Sequence, residues 1–180
     1  LAPSGLKLVP KHMRPTKHVL DHSIAEVEAR LQEETNYQLE AKTTAWFSEN
    51  LKIEGVVVPK VINEFCSDRV ITTELLDGLH LDEWLETNPS QQIRNLAAQR
   101  IHDQFVESVV SLRCVHADPN PGNYLFQADG TIGLIDFGCV KQFSDMFVDN
   151  LPALLASFCE GDMQKILTQY EAIGMEIVVE

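Results

Sequence analysis

The sequence is short of positive charge. Its 14 Lys and Arg stand against 27 Asp and Glu, a formal net charge of −13. A nucleic-acid footprint needs a basic patch, and electrostatic docking on anionic lipid needs basic clusters. The composition argues against both and reads as an acidic solvated surface. Cysteine is sparse, with single residues at 66, 114, 139 and 159. No C-x-x-C occurs and the gaps fit no zinc ribbon, so a reducing compartment is the natural setting. Cys114 and Cys139 read as small buried fillers. No run approaches the ~18 apolar residues of a membrane span, and the opening LAPSGLKLVPKHM lacks the apolar core of a secretory signal. Internal repeats and low-complexity tracts are missing too. The chain opens on Leu rather than Met, which suggests a piece of something longer.

What is present suffices for a packed core. The chain has 180 residues, 44% of them hydrophobic, the size of one domain or slightly less. Its most informative stretch is CVHADPNPGNYLFQADGTIGLIDFGCV, residues 114–140. Two short apolar runs, Tyr124 to Phe126 and Ile132 to Ile135, flank Asp129-Gly130, a dipeptide that favours a tight hairpin turn. Asp118 and Asn123 stand at the hairpin's entrance and Asp136 at its exit. An antiparallel pair brings its outer ends together, so these three side chains are expected at one point although the two Asp lie 18 positions apart. Oxygen ligands at one point suit a hard cation such as Mg²⁺, with phosphates and water completing its shell. One carboxylate then stays free to accept a proton. A solvated acidic hairpin mouth is the plainer alternative, but the ordered set of HxD, Asn five residues on, hairpin turn and DFG carries the spacing of kinase-type phosphoryl transfer.

The wording HADPNPGN followed by LIDFG resembles the UbiB/AarF-like atypical kinase family, whose loop commonly reads HADPHPGN. Asn120 stands where that family has its second His. The resemblance covers residues from about 24 to 175. It implies an α+β, protein-kinase-like fold, ATP and Mg²⁺ as cofactors, and a role in ubiquinone or isoprenoid-lipid metabolism. It also implies an isoprenoid lipid or quinone precursor as partner, with peripheral association at an inner membrane of an otherwise cytoplasmic protein. Asp118 would be the base or water-positioning group, and Asn123 and Asp136 the metal ligands. His116 would brace the loop, beside Phe137 and Gly138.

Elsewhere the pattern fills in this frame. Residues 1–22 read as an irregular lead-in, residues 23–78 as the remaining part of an N-lobe with its hinge, and residues 79–180 as a partial C-lobe. Ser23 to about Leu51 reads as one long helix without Pro or Gly. Tyr37, Ala41, Thr44, Phe47 and Leu51 form its inward stripe. Glu40 lies on that stripe, where a carboxylate is costly unless paired. EETNYQLEA resembles the family's E-x-D-Y-x-x-E-A signature. By that match Glu40 pairs with a phosphate-gripping Lys, and Glu34 and Asn36 fill the ExD pair, with Asn36 unable to carry the usual charge. Val56–Ile62 and Val70–Leu75 read as a hairpin across a polar turn. Glu74, Leu75 and Leu76 are the expected hinge against adenine. A helix from Ser90 to about Arg113 carries the stripe Ile93, Ala97, Ile101, Phe105, Val109 and Leu112. After the DFG the chain is expected to run directly into helices, Asp145–Cys159 and Asp162–Ile173.

No phosphate-covering Gly-rich loop, V-A-I-K strand, KxGQ segment or APE motif appears, and Lys7 reads as a stray. A chain that starts inside the N-lobe accounts for this. An ATP-dependent phosphotransferase or ATPase is the leading expectation. A small-molecule phosphotransferase of the aminoglycoside or choline kinase type is one alternative, and a nucleotide-binding pseudokinase-like module is the other.

Overall fold

A computed structural model of the chain describes residues 36–175. Its centre is the hairpin read from the sequence. Strands β3 (Tyr124–Phe126) and β4 (Ile132–Leu134), numbered in chain order, pair antiparallel with Tyr124 opposite Leu134 and Phe126 opposite Ile132. These four side chains are buried, because strand alternation turns them all to the core face. The loop between them is closed by the Gln127 N–H on the Thr131 carbonyl at 2.9 Å. Gly130 takes the left-handed conformation there, with φ +81°, which a glycine adopts without steric cost.

Strand β1 (Val56–Val57) adds to this hairpin in parallel, giving the order β1-β4-β3. The expected hairpin of 56–62 with 70–75 is therefore corrected: its first strand pairs mainly elsewhere. Only a remnant of the expected pairing survives, with the Ile62 N–H on the Thr72 carbonyl at 2.8 Å and the Glu74 N–H on the Lys60 carbonyl at 2.9 Å. Pro59, which has no N–H to donate, separates the two halves. A 3-10 turn, Asn63–Phe65, then breaks the extended backbone between Ile62 and Thr72.

Helix α1 spans Tyr37–Asn50, and the Asn36 side chain caps it by accepting the Leu39 N–H at 3.0 Å. This corrects the single unbroken helix: Asn favours a cap over a helix interior, so Glu40 falls in a first turn. The rest of the expected helix, and Glu34 with it, lies outside the described residues. Ala41, Thr44, Phe47 and Leu51 are buried as the stripe requires, while Tyr37 is exposed.

Helices α2 (Leu81–Glu86) and α3 (Gln91–Val110) follow, α3 capped by the Ser90 hydroxyl, which accepts the Ile93 N–H at 3.3 Å. The stripe on α3 is corrected at Phe105, which is 52% exposed, while Gln104 and Ser108 are buried. Val109, one step of four beyond Phe105 on the same stripe, is buried again, so the helical period by itself does not turn Phe105 outward.

Strand β2 (Cys114–His116) pairs antiparallel with β5 (Val140–Gln142). The chain thus makes a strand before its last helices, where none was expected. A three-residue strand with Lys141 and Gln142 exposed offers too little alternation to read. Helices α4 (Asp145–Glu160) and α5 (Met163–Ala172) then fold over a separate small core of Leu154, Ile166 and Ile173. Gly161, at φ +70°, ends α4, and the Asp162 carboxylate caps α5 by accepting the Gln164 and Lys165 N–H groups. The main core joins Phe47 and Leu51 of α1, Trp84 of α2, the β3–β4 hairpin and Phe137. The architecture is α+β.

Candidate functional site

The hairpin's two open ends meet. The Ile135 N–H donates to the Asn123 carbonyl at 3.1 Å, so the residue after Ile135, Asp136, follows directly on the strand end that faces Asn123. On the entrance side the Asn123 amide donates to Asp118 twice, to carboxylate Oδ2 at 2.9 Å and to the backbone carbonyl at 3.1 Å. Both amide hydrogens are used, which leaves the Asn123 carbonyl oxygen as the acceptor turned away from Asp118. The local turn is shaped by Asn120, whose Oδ1 accepts the Gly122 N–H at 2.9 Å and caps the 3-10 turn Pro121–Asn123. Asn at that position therefore serves the loop's geometry. Asp118 is exposed, and Asn123 and Asp136 are half-buried. The expected trio thus shares one end of the hairpin.

Asp136 is fixed from both directions. Its Oδ1 accepts the Gly138 N–H at 2.9 Å, and its carbonyl meets Nε2 of buried His116 across the β2 end. His116 also sets its ring edge on Phe137, centroids 5.5 Å apart. The ring thus touches both Asp136 and Phe137. Phe137 is 1% exposed and lies on Phe47 of α1 at 4.7 Å. The sequence marks Phe47 only as core, yet its place two helical turns beyond Glu40 puts it on the face that meets the site.

Glu40 reaches the same neighbourhood. A Cβ built on Gly138 would stand 3.3 Å from Asp136 Oδ1 and 4.0 Å from Glu40 Oε2. Burial first, and the negative charge of Asp136 second, push the Glu40 carboxyl above its ordinary range. Tyr124 is pushed up by burial and then by Asp118. Among the described residues no cation pairs with Glu40. Lys7 lies outside the described residues.

The expected hinge is close to the hairpin, though not through all its residues. Leu79 and Phe126 exchange backbone hydrogen bonds of 3.0 and 2.8 Å. Gly78 lets the backbones approach, since a Cβ there would sit 2.9 Å from the Leu125 Cβ. Leu76 packs over Gly133, whereas Leu75 is 95% exposed. The Glu74 carboxylate accepts the Lys60 N–H at 3.3 Å.

The donor set suits Mg²⁺ better than a metal that needs a full protein cage. Among the described residues no three His, Cys, Asp or Glu side chains converge as ligands. One carboxylate and one amide oxygen remain, and Mg²⁺ takes few protein oxygens and completes its shell with phosphates and water.

A nested hairpin with Asp and Asn at its entrance and DFG at its exit, backed by a helix carrying Glu, defines a kinase-like protein. The ABC1 atypical kinase-like domain family matches residues 4–170, and the chain belongs to that family, as the UbiB/AarF-like wording of its loop suggested. It is 30% identical over 166 residues to "Atypical kinase coq-8, mitochondrial" of Caenorhabditis elegans, covering 89% of this chain and 22% of that protein. To "Atypical kinase COQ8, mitochondrial" of Saccharomyces cerevisiae it is 27% identical over 143 residues, covering 78% of this chain and 28% of that one. The chain thus spans about a quarter of the length of these relatives. Among solved structures, the Mycobacterium tuberculosis protein Rv3197, in its complex with erythromycin, superposes with a TM-score of 0.67 at 23% identity, over 96% of this chain and 44% of that one. That likeness speaks for the fold alone. Among the described residues no helix is long and apolar enough to cross a membrane.

Proposed function

We propose that the chain carries the catalytic hairpin of an ATP- and Mg²⁺-dependent phosphotransferase or ATPase of the UbiB/AarF type, acting in ubiquinone or other isoprenoid-lipid metabolism. Peripheral association with an inner membrane belongs to the same reading. The observation that carries it is the double hydrogen bond from the Asn123 side-chain amide to Asp118, which uses both amide hydrogens and leaves the side-chain oxygen Oδ1 free of Asp118, at the hairpin end where the Ile135 N–H, one residue before Asp136, meets the Asn123 backbone carbonyl. Asn123 and Asp136 would hold Mg²⁺ on the nucleotide. The metal, when bound, neutralises charge on the transferring phosphoryl group. Asp118 accepts the proton of an attacking hydroxyl or orients a water. Glu40 pairs with a lysine outside the described residues, and the backbone near Glu74 to Leu76 meets the adenine.

The test is Asp136→Asn in the full-length protein. Loss of one charged ligand from a hard-cation site should remove Mg²⁺-dependent nucleotide binding, measured by calorimetry with and without the metal. Wild-type affinity in Mg²⁺ would refute the assignment.

A further inference from the structure

Between α1 and strand β5 lies a groove of about 570 Å³, with buried Cys114 and the core-packed Val140 among its lining. Lys42 of α1 and Lys141 of β5 both line it, with Leu39 and Trp46 as its apolar rim. No carboxylate is among its lining residues. In a chain of net charge −13 this is an unusual place. Among the described residues Lys60, Arg113 and Lys165 are engaged with acidic side chains, while Lys52, Arg94 and Arg100 donate to backbone carbonyls. Lys42 and Lys141 are both exposed, and neither pairs with a described carboxylate.

The floor of the groove is an open strand edge. Among the described residues β5 pairs with β2 alone. In an antiparallel ladder alternate residues turn both N–H and C=O toward the partner strand. The Ala117 N–H bonds the Cys139 carbonyl at 2.9 Å and the Phe143 N–H bonds the Arg113 carbonyl at 2.8 Å. These two bonds place residues 139, 141 and 143 toward β2. Val140 and Gln142 then point their backbone groups outward, and both residues line the groove. A row of free backbone groups beside two cations and an apolar rim has the three features that recognise an extended peptide with alternating acidic and apolar residues.

We propose that this groove receives an extended acidic segment of a partner protein, which adds to β5 as a third strand. Backbone hydrogen bonds to Val140 and Gln142 would supply affinity. Lys42 and Lys141 would select acidic side chains, and Leu39 and Trp46 would cover the apolar ones. The seat bridges the helix that carries Glu40 and the strand that follows Gly138, so its occupant touches both supports of the site without entering it.

The probe is a fluorescein-labelled acetylated heptapeptide of alternating Glu and Val, titrated with the full-length protein and followed by anisotropy. Saturable binding that weakens with added salt is expected. The double variant K42E/K141E should lose roughly tenfold or more in affinity, since two partly exposed ion pairs become repulsive. The same variant should gain binding of a Lys-Val peptide. N-methylation of the amides along one edge of the Glu-Val peptide should abolish binding to the unaltered protein. This arm does not depend on any variant folding. Absence of saturable binding, equal binding of the N-methylated peptide, or indifference to the charge reversal would each overturn the proposal. So would lysine-dependent binding to phosphatidylserine vesicles in place of the peptide.

Discussion

Phe137 is where the helix and the site are tied together, and a double-mutant cycle with Phe47 measures that tie. Phe137 is 1% exposed, its ring lies 4.7 Å from Phe47 at 30°, and His116 meets its other side at 5.5 Å. Phe137→Leu keeps most of the volume and removes the ring contacts. A roughly volume-conserving swap costs up to about 1.5 kcal/mol, and a lost aromatic pair adds about 0.5–1.5 kcal/mol. Each single change should therefore cost about 2 kcal/mol. At roughly 2–4 °C per kcal/mol for a chain of this size, that is a fall of about 4–8 °C in Tm. The double variant loses the shared ring contact once rather than twice, so it should be about 1 kcal/mol more stable than the sum of the singles predicts. Urea denaturation of all four proteins, followed by far-ultraviolet circular dichroism, gives the cycle. Additivity within about 0.3 kcal/mol, the usual result for independent sites, would mean that the rings are neighbours without energetic coupling, and the tie between α1 and the DFG segment would have to lie elsewhere.

Asp118→Asn keeps size and removes basicity. In the full-length protein it should lower turnover by about a hundredfold or more with nucleotide affinity within a few fold. A drop in Tm with turnover per folded molecule kept would make Asp118 a loop cap instead. The Glu40 carboxyl is raised by burial and by Asp136, so the folded state holds its proton more tightly than the unfolded one. Its contribution to stability is complete below its ordinary value of 4.5 and is lost as pH rises through the raised value. In the stretch 36–175 taken by itself, where no cation pairs with Glu40, Glu40→Gln should therefore melt higher than the unaltered stretch at pH 7, with the difference closing as the buffer is taken below pH 4.5. Identical melting curves at pH 7 would count against the crowding of the two carboxylates. Gly78→Ala should cost about 1–3 kcal/mol, since Gly78 has φ +139° and its Cβ would strike Leu125 at 2.9 Å. Denaturant midpoints would show it, and an unchanged midpoint would mean that the 73–79 segment can move off the hairpin freely.

The hairpin and its site were legible because they are written locally. The apolar alternation at Tyr124, Phe126, Ile132 and Leu134, the Asp129-Gly130 turn and the polar residues at its mouth all lie within one short stretch, so period and turn chemistry decide the register. The strand β5 was not legible, because three residues bearing Lys141 and Gln142 give no period and their pairing with β2 is set from a distance. The same is true of β1: nothing in Val56-Val57 announces a parallel partner far along the chain, and only the break at Pro59 hinted that the expected hairpin would fail. On α1 the core stripe was sound, but the cap at Asn36 was overlooked, because helix formers on both sides outweighed one short polar residue. Phe105 on α3 shares the spacing of buried Ala97 and Val109, so its exposure is not written in the helical period.

The missed strand matters more to the site than its length suggests. β5 closes β2 at the Ala117–Cys139 hydrogen bond, and everything chemical lies inside that closure: Asp118, Asn123, the β3–β4 hairpin, Asp136 and Gly138. The arrangement is one hairpin nested in another. The inner pair fixes Asn123 against Ile135, and the outer pair fixes His116 against the Asp136 carbonyl. Neither pair alone would hold all three polar side chains. The inner one leaves Asp118 and Asp136 on free ends, and the outer one leaves the hairpin's register open. With both closed, the backbone on either side of the site is pinned within a few residues of each functional group. Side chains such as Asp118 can then remain exposed and available without losing position. The third dimension comes from α1, through Phe47 on Phe137. α1 is anchored besides by Ala41, Thr44 and Leu51, which are buried, and by the Ser48 hydroxyl donating to the Val58 carbonyl at 3.2 Å, so Glu40 is held beside Asp136 by the whole inward face of the helix.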